Sequence, residues 1–399
     1  MHTLIEQEQH YSAQNLNPLP IVLQRGEDCW LWDVNDKQYL DCSSALMVNN
    51  FGHCHPKIVK TAQEQVATLT MVSRLFYNDQ LPGLLKHVCE LTHMDQALPM
   101  NSGAEAFETA VKAARRWGYQ VKGVAENQAD VILCNGNFHG RTVTAIGASD
   151  NPAHQNAFAP FTPGFSLVPF NDAEALEQVI TPNTAAFIVE PIQGERGVIL
   201  PDPGYLQACA AICKKYNVLL ICDEIQTGVG RTGTFLTSEQ EGIEPDAVLL
   251  GKGLGGGMLP VSMLAGKKYL MDVFTPGSHG STFSGSPFAS AVSKAALTVL
   301  AEEHLCQNAQ TMGEYFVEQL QQIQHPAIAQ VRGRGLLIAM EFHPDQMDVP
   351  ALCKALAEAG LLMVLTRGTI FRIAPPLTIT KPAIDHACAI LAKVLQEQA

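Results

Sequence analysis

The chain has 399 residues, 47% hydrophobic and 16% charged, a composition with ample core that excludes a disordered polypeptide. Its net charge of −13 argues against nucleic acid or an anionic membrane surface as partner. Eleven cysteines, an odd number without a CxxC pair, fit a reduced cytoplasmic setting better than a disulfide framework.

The length suggests roughly two to three domains. The first 20 residues are acidic and lack arginine, which disfavours a transit peptide, and they show no basic-then-apolar signal pattern. No apolar run approaches the roughly 18–20 residues of a membrane span. The first 40 or so residues read as an extended lead-in. Within it, residues 30–34 and 38–41 predict two short strands around a turn at Asn35-Asp36. From about 55 to 300, apolar strand-like runs alternate with helical patterns. Strands are expected at 131–134, 186–189, 218–222, 247–250 and 262–265, and helices at 104–117 and 205–216. This order predicts an α/β fold, a mostly parallel sheet with helices on both faces. After about 300 the pattern becomes helix, strands, helix, strand, helix, which reads as a smaller α+β unit.

Asp223 and Lys252 each close an apolar, β-branched stretch of the kind that forms buried parallel strands. A carboxylate and a lysine at the ends of buried strands are costly unless paired. Pyridoxal 5′-phosphate answers both needs, since its aldehyde takes a lysine as a Schiff base and its pyridinium nitrogen takes an aspartate. Taken singly, Lys252 also reads as a surface lysine in a glycine loop, and Asp223 as a buried cap of a turn. The Ser102-Gly103 turn opens a helical stretch, so its backbone N–H groups favour an anion, although an ordinary N-cap gives the same pattern. Ser281-Thr282 offers a second hydroxyl contact.

Two further motifs carry less. Residues 228–233 match GxGxxG, and a nicotinamide-dependent dehydrogenase is the reading that would use them. That fingerprint needs a strand directly before it and a helix after it. Residues 223–226 intervene and no amphipathic helix follows, so a glycine-rich surface loop is expected. In His53-Cys54-His55, adjacent side chains point to opposite faces and cannot share one ion, so a structural turn is expected and no metal site.

From about residue 25 to the C-terminus the chain resembles the class III, pyridoxal-phosphate-dependent aminotransferases. The resemblance rests on Gly52-His53-Cys54-His55-Pro56, Ser102-Gly103-Ala104-Glu105 and Asn137-Phe138-His139-Gly140-Arg141-Thr142. It continues through Glu190-Pro191-Ile192-Gln193-Gly194-Glu195, Asp223-Glu224-Ile225-Gln226, Gly251-Lys252-Gly253, His279-Gly280-Ser281-Thr282 and Arg372-Ile373-Ala374-Pro375-Pro376-Leu377. Flanks such as Arg116-Trp117-Gly118-Tyr119 and Pro201-Asp202-Pro203-Gly204-Tyr205 are similar to the ornithine-using branch of the class.

The resemblance implies the aspartate-aminotransferase-like fold type I, with a large domain built on a seven-stranded type of mostly parallel sheet and a smaller α+β domain. Residues 1–50 would pack with the small domain, 51–290 would form the cofactor domain and 291–399 the small domain. Lys252 would hold the cofactor and move a proton, and Asp223 would keep the ring nitrogen protonated. Phe138 would stack on the ring and Gln226 would touch its hydroxyl. Ser102, Gly103 and Ala104 would hold the phosphate, with Thr282 reaching in from the other subunit of a homodimer. Arg141 and Arg372 would bind the two carboxylates of 2-oxoglutarate, with Glu195 pairing to Arg372 while the amine donor is bound. Tyr77 matches a substrate-pocket tyrosine. The implied reaction moves the δ-amino group of L-ornithine to 2-oxoglutarate, so small amino acids and 2-oxo acids are the expected partners. Two departures leave N-acetylornithine, 4-aminobutyrate and other ω-amino donors open. Leu46 stands where the ornithine enzymes place a tyrosine, and Arg196 follows Glu195 where a small residue is usual.

Overall fold

The computed structural model describes residues 2–398. Three sheets organise it. The N-terminal strands β1 (Leu23–Glu27), β2 (Trp30–Asp33) and β3 (Gln38–Asp41) form an antiparallel meander. The central sheet contains β4 (Gln96–Met100), β5 (Asp130–Cys134), β6 (Phe165–Val168), β7 (Thr184–Val189), β8 (Leu219–Asp223), β9 (Ala247–Leu250) and β10 (Ser262–Gly266). Its strand order is β4-β10-β9-β8-β7-β5-β6. Only β10 runs against its neighbours, pairing antiparallel with both β4 and β9.

The strands expected from apolar runs lie where the sequence places them, because every residue of β7, β8 and β9 is buried. Alternate residues feed two separate cores. Phe187, Val189, Leu220, Cys222, Val248 and Leu250 join one, and Ala186, Ile188, Leu219, Ile221, Ala247 and Leu249 the other. The helix Gly103–Trp117 covers the second face, burying Ala106, Phe107, Ala110, Val111, Ala114 and Trp117. The parallel strands β7, β8 and β9 end together at one edge. Asp223 closes β8 there, and Lys252 follows β9 by two residues.

The C-terminal part carries β11 (Ile328–Arg334), β12 (Leu337–Phe342), β13 (Leu361–Leu362), β14 (Val364–Thr366) and β15 (Ile370–Ile373). The single late strand expected after 350 is therefore three short ones, with β14 and β15 joined by a turn in which Arg367 and Gly368 take positive φ. β13 pairs in parallel with β3, so the N-terminal meander is continuous with the C-terminal part. On that pairing we propose that residues 1–50 go with the small domain; the proposed division at 290 falls within the helix Pro287–Glu302, and the outermost residues, 1 and 399, lie outside the described ones. The extended lead-in is corrected at its start, where His2–Tyr11 form a helix. Its residues 3–11 are almost all exposed, so no apolar periodicity announced it.

Candidate active site

The strand edge that carries Asp223 and Lys252 is a cluster of buried and half-buried ionic groups. Asp223 is buried, and its Oδ2 lies 2.6 Å from His139 Nδ1 while Oδ1 accepts the Ile225 amide at 3.1 Å. The His139 ring stacks on Phe107 of the covering helix with centroids 4.7 Å apart. That stack and the carboxylate fix the imidazole from two directions.

Lys252 opens a short 3₁₀ turn with φ of 43°, flanked by Gly251 and Gly253. Its Nζ donates to the Leu46 carbonyl at 2.8 Å. Burial lowers its pKa to about 8, helped by Arg372 and opposed by Glu195 and Asp223. An amine so adjusted is a better base and nucleophile near neutrality than an ordinary lysine. Leu46 belongs to a turn, Ser44–Met47, in which all four residues take positive φ. Left-handed geometry costs roughly 1–2 kcal/mol per L-residue, so the surroundings must hold this turn in place.

Arg372, buried on β15, sits at 2.5 Å from Glu195 Oε1 through Nη1. Burial pushes the Glu195 carboxyl up, but Arg372 and Lys252 outweigh it and hold it below the usual carboxylate range. Gln226 Nε2 reaches the same oxygen at 3.5 Å. Arg196 turns away from Glu195, donating instead to the Asn135 carbonyl at 3.3 Å and Gln193 Oε1 at 3.4 Å. The departure at this position thus leaves the Glu195–Arg372 pair intact. Arg141 is exposed and stands 5.9 Å from the Phe138 ring centroid. The Phe138 amide donates to Glu190 Oε2 at 3.0 Å, and burial, with Asp223 nearby, raises the Glu190 carboxyl well above its ordinary range.

At the phosphate end, Ser102 caps the helix Gly103–Trp117 in a capping box with Glu105. The amides of Gly103 and Ala104 are the first of that helix and have no intrahelical partner. Gly140 takes φ of 125°, and a Cβ there would come within 2.8 Å of the Ala104 Cβ, so the loop presses directly on the helix start.

These residues fit pyridoxal phosphate. Gln226 Oε1, Glu190 Oε1 and His139 Nε2 are buried polar atoms without a partner among the described residues, all near Asp223 in the fold. A helix start with unspent donors, an aromatic ring at 138, a carboxylate and an amine of lowered pKa are the donor set that this cofactor requires.

Other expected residues fall outside this cluster. Thr282 is exposed on its loop, where the neighbouring Ser281 Oγ accepts from Asn101 Nδ2 at 2.7 Å. Tyr77 is fully exposed, and the Leu46 side chain is half exposed. The glycine-rich stretch 228–233 is corrected: it is a buried turn and not a surface loop, with Arg231 at 0% exposure. His53 pairs with Asp41 at 2.8 Å and His55 with Glu303 at 3.2 Å, so each imidazole has its own carboxylate. No group of metal-ligating residues occurs among the described residues. Four roles escaped the sequence reading: those of His139, Glu190, Arg231 and the Leu46 carbonyl. All four lie in stretches that the sequence singles out, but three act through partners more than 50 positions away and the fourth through its backbone, so the local motifs did not assign them a part.

The model of the class III aminotransferase family matches residues 11–395. The chain is 49% identical over 393 residues to the ornithine aminotransferase of Bacillus subtilis, covering 98% of this chain and 97% of that one. The solved ornithine aminotransferase of Toxoplasma gondii, described with partial occupancy of PLP at its active site, superposes with a TM-score of 0.98 at 42% identity, covering 100% of this chain and 94% of that one. The acetylornithine aminotransferase of Elizabethkingia anophelis superposes at 0.91 with 44% identity, covering 99% of each chain. The chain belongs to the class III aminotransferases, and it is a pyridoxal-phosphate-dependent enzyme.

Proposed function

We propose that this class III aminotransferase moves the δ-amino group of L-ornithine to 2-oxoglutarate, giving glutamate 5-semialdehyde and glutamate. The observation that carries the reading is the Glu195–Arg372 pair at 2.5 Å, close enough to Lys252 to shift its pKa. A guanidinium masked by a carboxylate does not attract an α-carboxylate. It therefore suits a donor that presents a distal amine first. Once Glu195 moves aside, the same guanidinium is free to clamp an oxo acid in bidentate fashion. Full-length similarity to ornithine aminotransferases supports the same donor.

When bound, pyridoxal phosphate supplies the aldehyde that takes up an amino group and the ring that spreads negative charge. The protein does the rest. Asp223, held by His139, keeps a negative charge at one end of the site. Gly103 and Ala104 offer amides to the phosphate, with Ser102 as their cap. Phe138, fixed by Glu190, offers a flat face, and Gln226 offers an unsatisfied oxygen. Lys252 holds or moves a proton at Nζ. Arg141 stands exposed for the distal carboxylate of the oxo acid.

The surface around Leu75, Phe76, Tyr77 and Phe283 supports a homodimer, in which Thr282 and Tyr77 serve the neighbouring subunit's site. Among the described residues no helix is long and apolar enough to cross a membrane. We place the enzyme in the cytoplasm on its cysteine usage.

N-acetylornithine is the second reading, favoured by Leu46 beside Lys252 in place of a hydroxylated ring. A panel of amine donors with 2-oxoglutarate, ranked by kcat/KM, separates the two; ornithine is expected first, and an ornithine value at the bottom rejects the assignment. Lys252→Ala should lose both the yellow colour and turnover. Persistence of both in that variant removes the basis of the mechanism.

A further inference from the structure

Ser44, Ala45, Leu46 and Met47 carry φ angles of 41°, 51°, 60° and 68°. None is glycine. Such a run persists only where its surroundings over-determine it. Two buried charges do so here. Asp41 Oδ1 accepts from the amides of Ser43 and Ser44 at 2.8 and 3.0 Å and from the Ser43 hydroxyl at 2.6 Å. Its other oxygen takes His53 Nε2 at 2.8 Å. From the opposite side, Arg231 Nη2 donates to Ser44 Oγ at 3.3 Å and Asn50 Oδ1 at 2.7 Å. Arg231 Nη1 donates to the carbonyls of Leu336 and Pro375 at 3.0 and 2.5 Å. All four acceptors are neutral, so the guanidinium is a rigid four-point pin and not half of an ion pair. Ser44 Oγ passes the hold on, donating to the Ala374 carbonyl at 2.6 Å.

The bracing fixes the start of the turn, at Ser43 and Ser44, and two residues on the turn presents the Leu46 carbonyl, which lies 2.8 Å from Lys252 Nζ. We propose that the left-handed turn is a cradle for the free amine of Lys252, and that Asp41 and Arg231 are positioning residues acting through it. This rests on the reading of Lys252 as the cofactor lysine. Whenever its amine is free, the carbonyl fixes where the nitrogen sits, and so the point from which it takes a proton or returns to an aldehyde.

The charged groups acting on Lys252 are Arg372, Glu195, Asp223 and Arg231. Burial and the two guanidinium groups favour the neutral amine. The carbonyl and the two carboxylates favour the ammonium. A variant that removes the carbonyl therefore lowers the lysine's pKa further.

Two variants isolate the turn. Ala45→Pro sets φ near −65° at an exposed position and dismantles the left-handed run. Ser44→Ala removes the hydroxyl between Arg231 and Ala374. Ala45→Gly keeps the turn and relieves its strain. The cofactor is stripped from each protein, pyridoxal phosphate is added back, and the yellow colour is followed against pH. Capture condenses the neutral amine with the aldehyde and releases water, so its rate rises with pH through the amine's pKa. In Ala45→Pro and Ser44→Ala the midpoint should fall by about one unit, the worth of one hydrogen bond to a charge. Their kcat should drop about tenfold, with the donor KM within about twofold of the parent value. Ala45→Gly should keep the parent midpoint with an equal or higher Tm. Parent midpoints in both disrupting variants overturn the proposal, as does a shifted midpoint in Ala45→Gly. If Ala45→Pro does not fold, Ser44→Ala decides. A parent protein that captures no cofactor at any pH overturns the reading of Lys252 instead.

Discussion

Glu195 carries a second consequence besides its part in substrate choice. Burial alone would raise its carboxyl, yet Arg372 and Lys252 hold it below the ordinary value of 4.5. The unfolded chain therefore takes up this proton first. The pair's contribution to stability is complete above about pH 4.5 and drains away as pH falls through the lowered folded value. Glu195→Gln removes that dependence. The expected outcome is a shallower fall of Tm between about pH 5 and pH 3 than in the parent. The same variant leaves Arg372 unmasked, so α-amino donors such as glutamate should gain in kcat/KM relative to ornithine. A Tm-versus-pH curve parallel to the parent's, with unchanged donor ranking, rejects the role given to the pair.

At the scale of elements, the legible parts were those whose environment is uniform. β7, β8 and β9 are buried throughout, so plain apolar runs revealed them. β4 was not legible: it carries Pro99, which removes a ladder donor, and it is tolerated because β4 is an edge strand paired only with β10. The turn Ser44–Met47 was hidden for the opposite reason. Nothing in Ser-Ala-Leu-Met asks for positive φ; the hydrogen bonds that hold it come from Asp41, three residues before the turn, and from Arg231, 187 positions after Ser44. Asp223, Lys252 and the Ser102 cap were readable because each interrupts an apolar or helical pattern. A close approach between elements was equally invisible. Gly313 lies in the helix Leu305–Gln321, and a Cβ there would fall 2.0 Å from the Gly335 carbonyl oxygen in the turn between β11 and β12. Backbone cannot yield as a side-chain tip does. Gly313→Ala should cost at least about 1–3 kcal/mol despite the better helix propensity of alanine. Chemical denaturation measures it; a stabilised variant would mean that helix and turn separate more easily than this contact implies.

At the scale of the whole molecule, one surface is the basis for the proposed homodimer. Leu75, Phe76 and Phe283 are 87%, 67% and 68% exposed, and Tyr77 is fully so. Leu75 and the loop Gly280–Thr282 line the same cleft as Leu98 and Pro99, next to the phosphate end of the site. Aromatic side chains bury about 150–250 Å² each, at roughly 25 cal/mol per Å². Three rings and a leucine per subunit, doubled by the two-fold axis of the proposed dimer, would supply several kcal/mol to association. The proposed dimer would also give a use to Tyr77 and Thr282, which are exposed in the single chain. Phe76→Asp combined with Phe283→Asp places two unpaired charges in that contact. Light scattering after gel filtration should report the mass of a single chain, 43.2 kDa. The monomer should also bind pyridoxal phosphate at least about tenfold more weakly, the worth of one lost hydrogen bond to the phosphate. A double variant that stays dimeric rejects this surface as the interface. A monomer that keeps the parent's cofactor affinity rejects the sharing of the site between subunits.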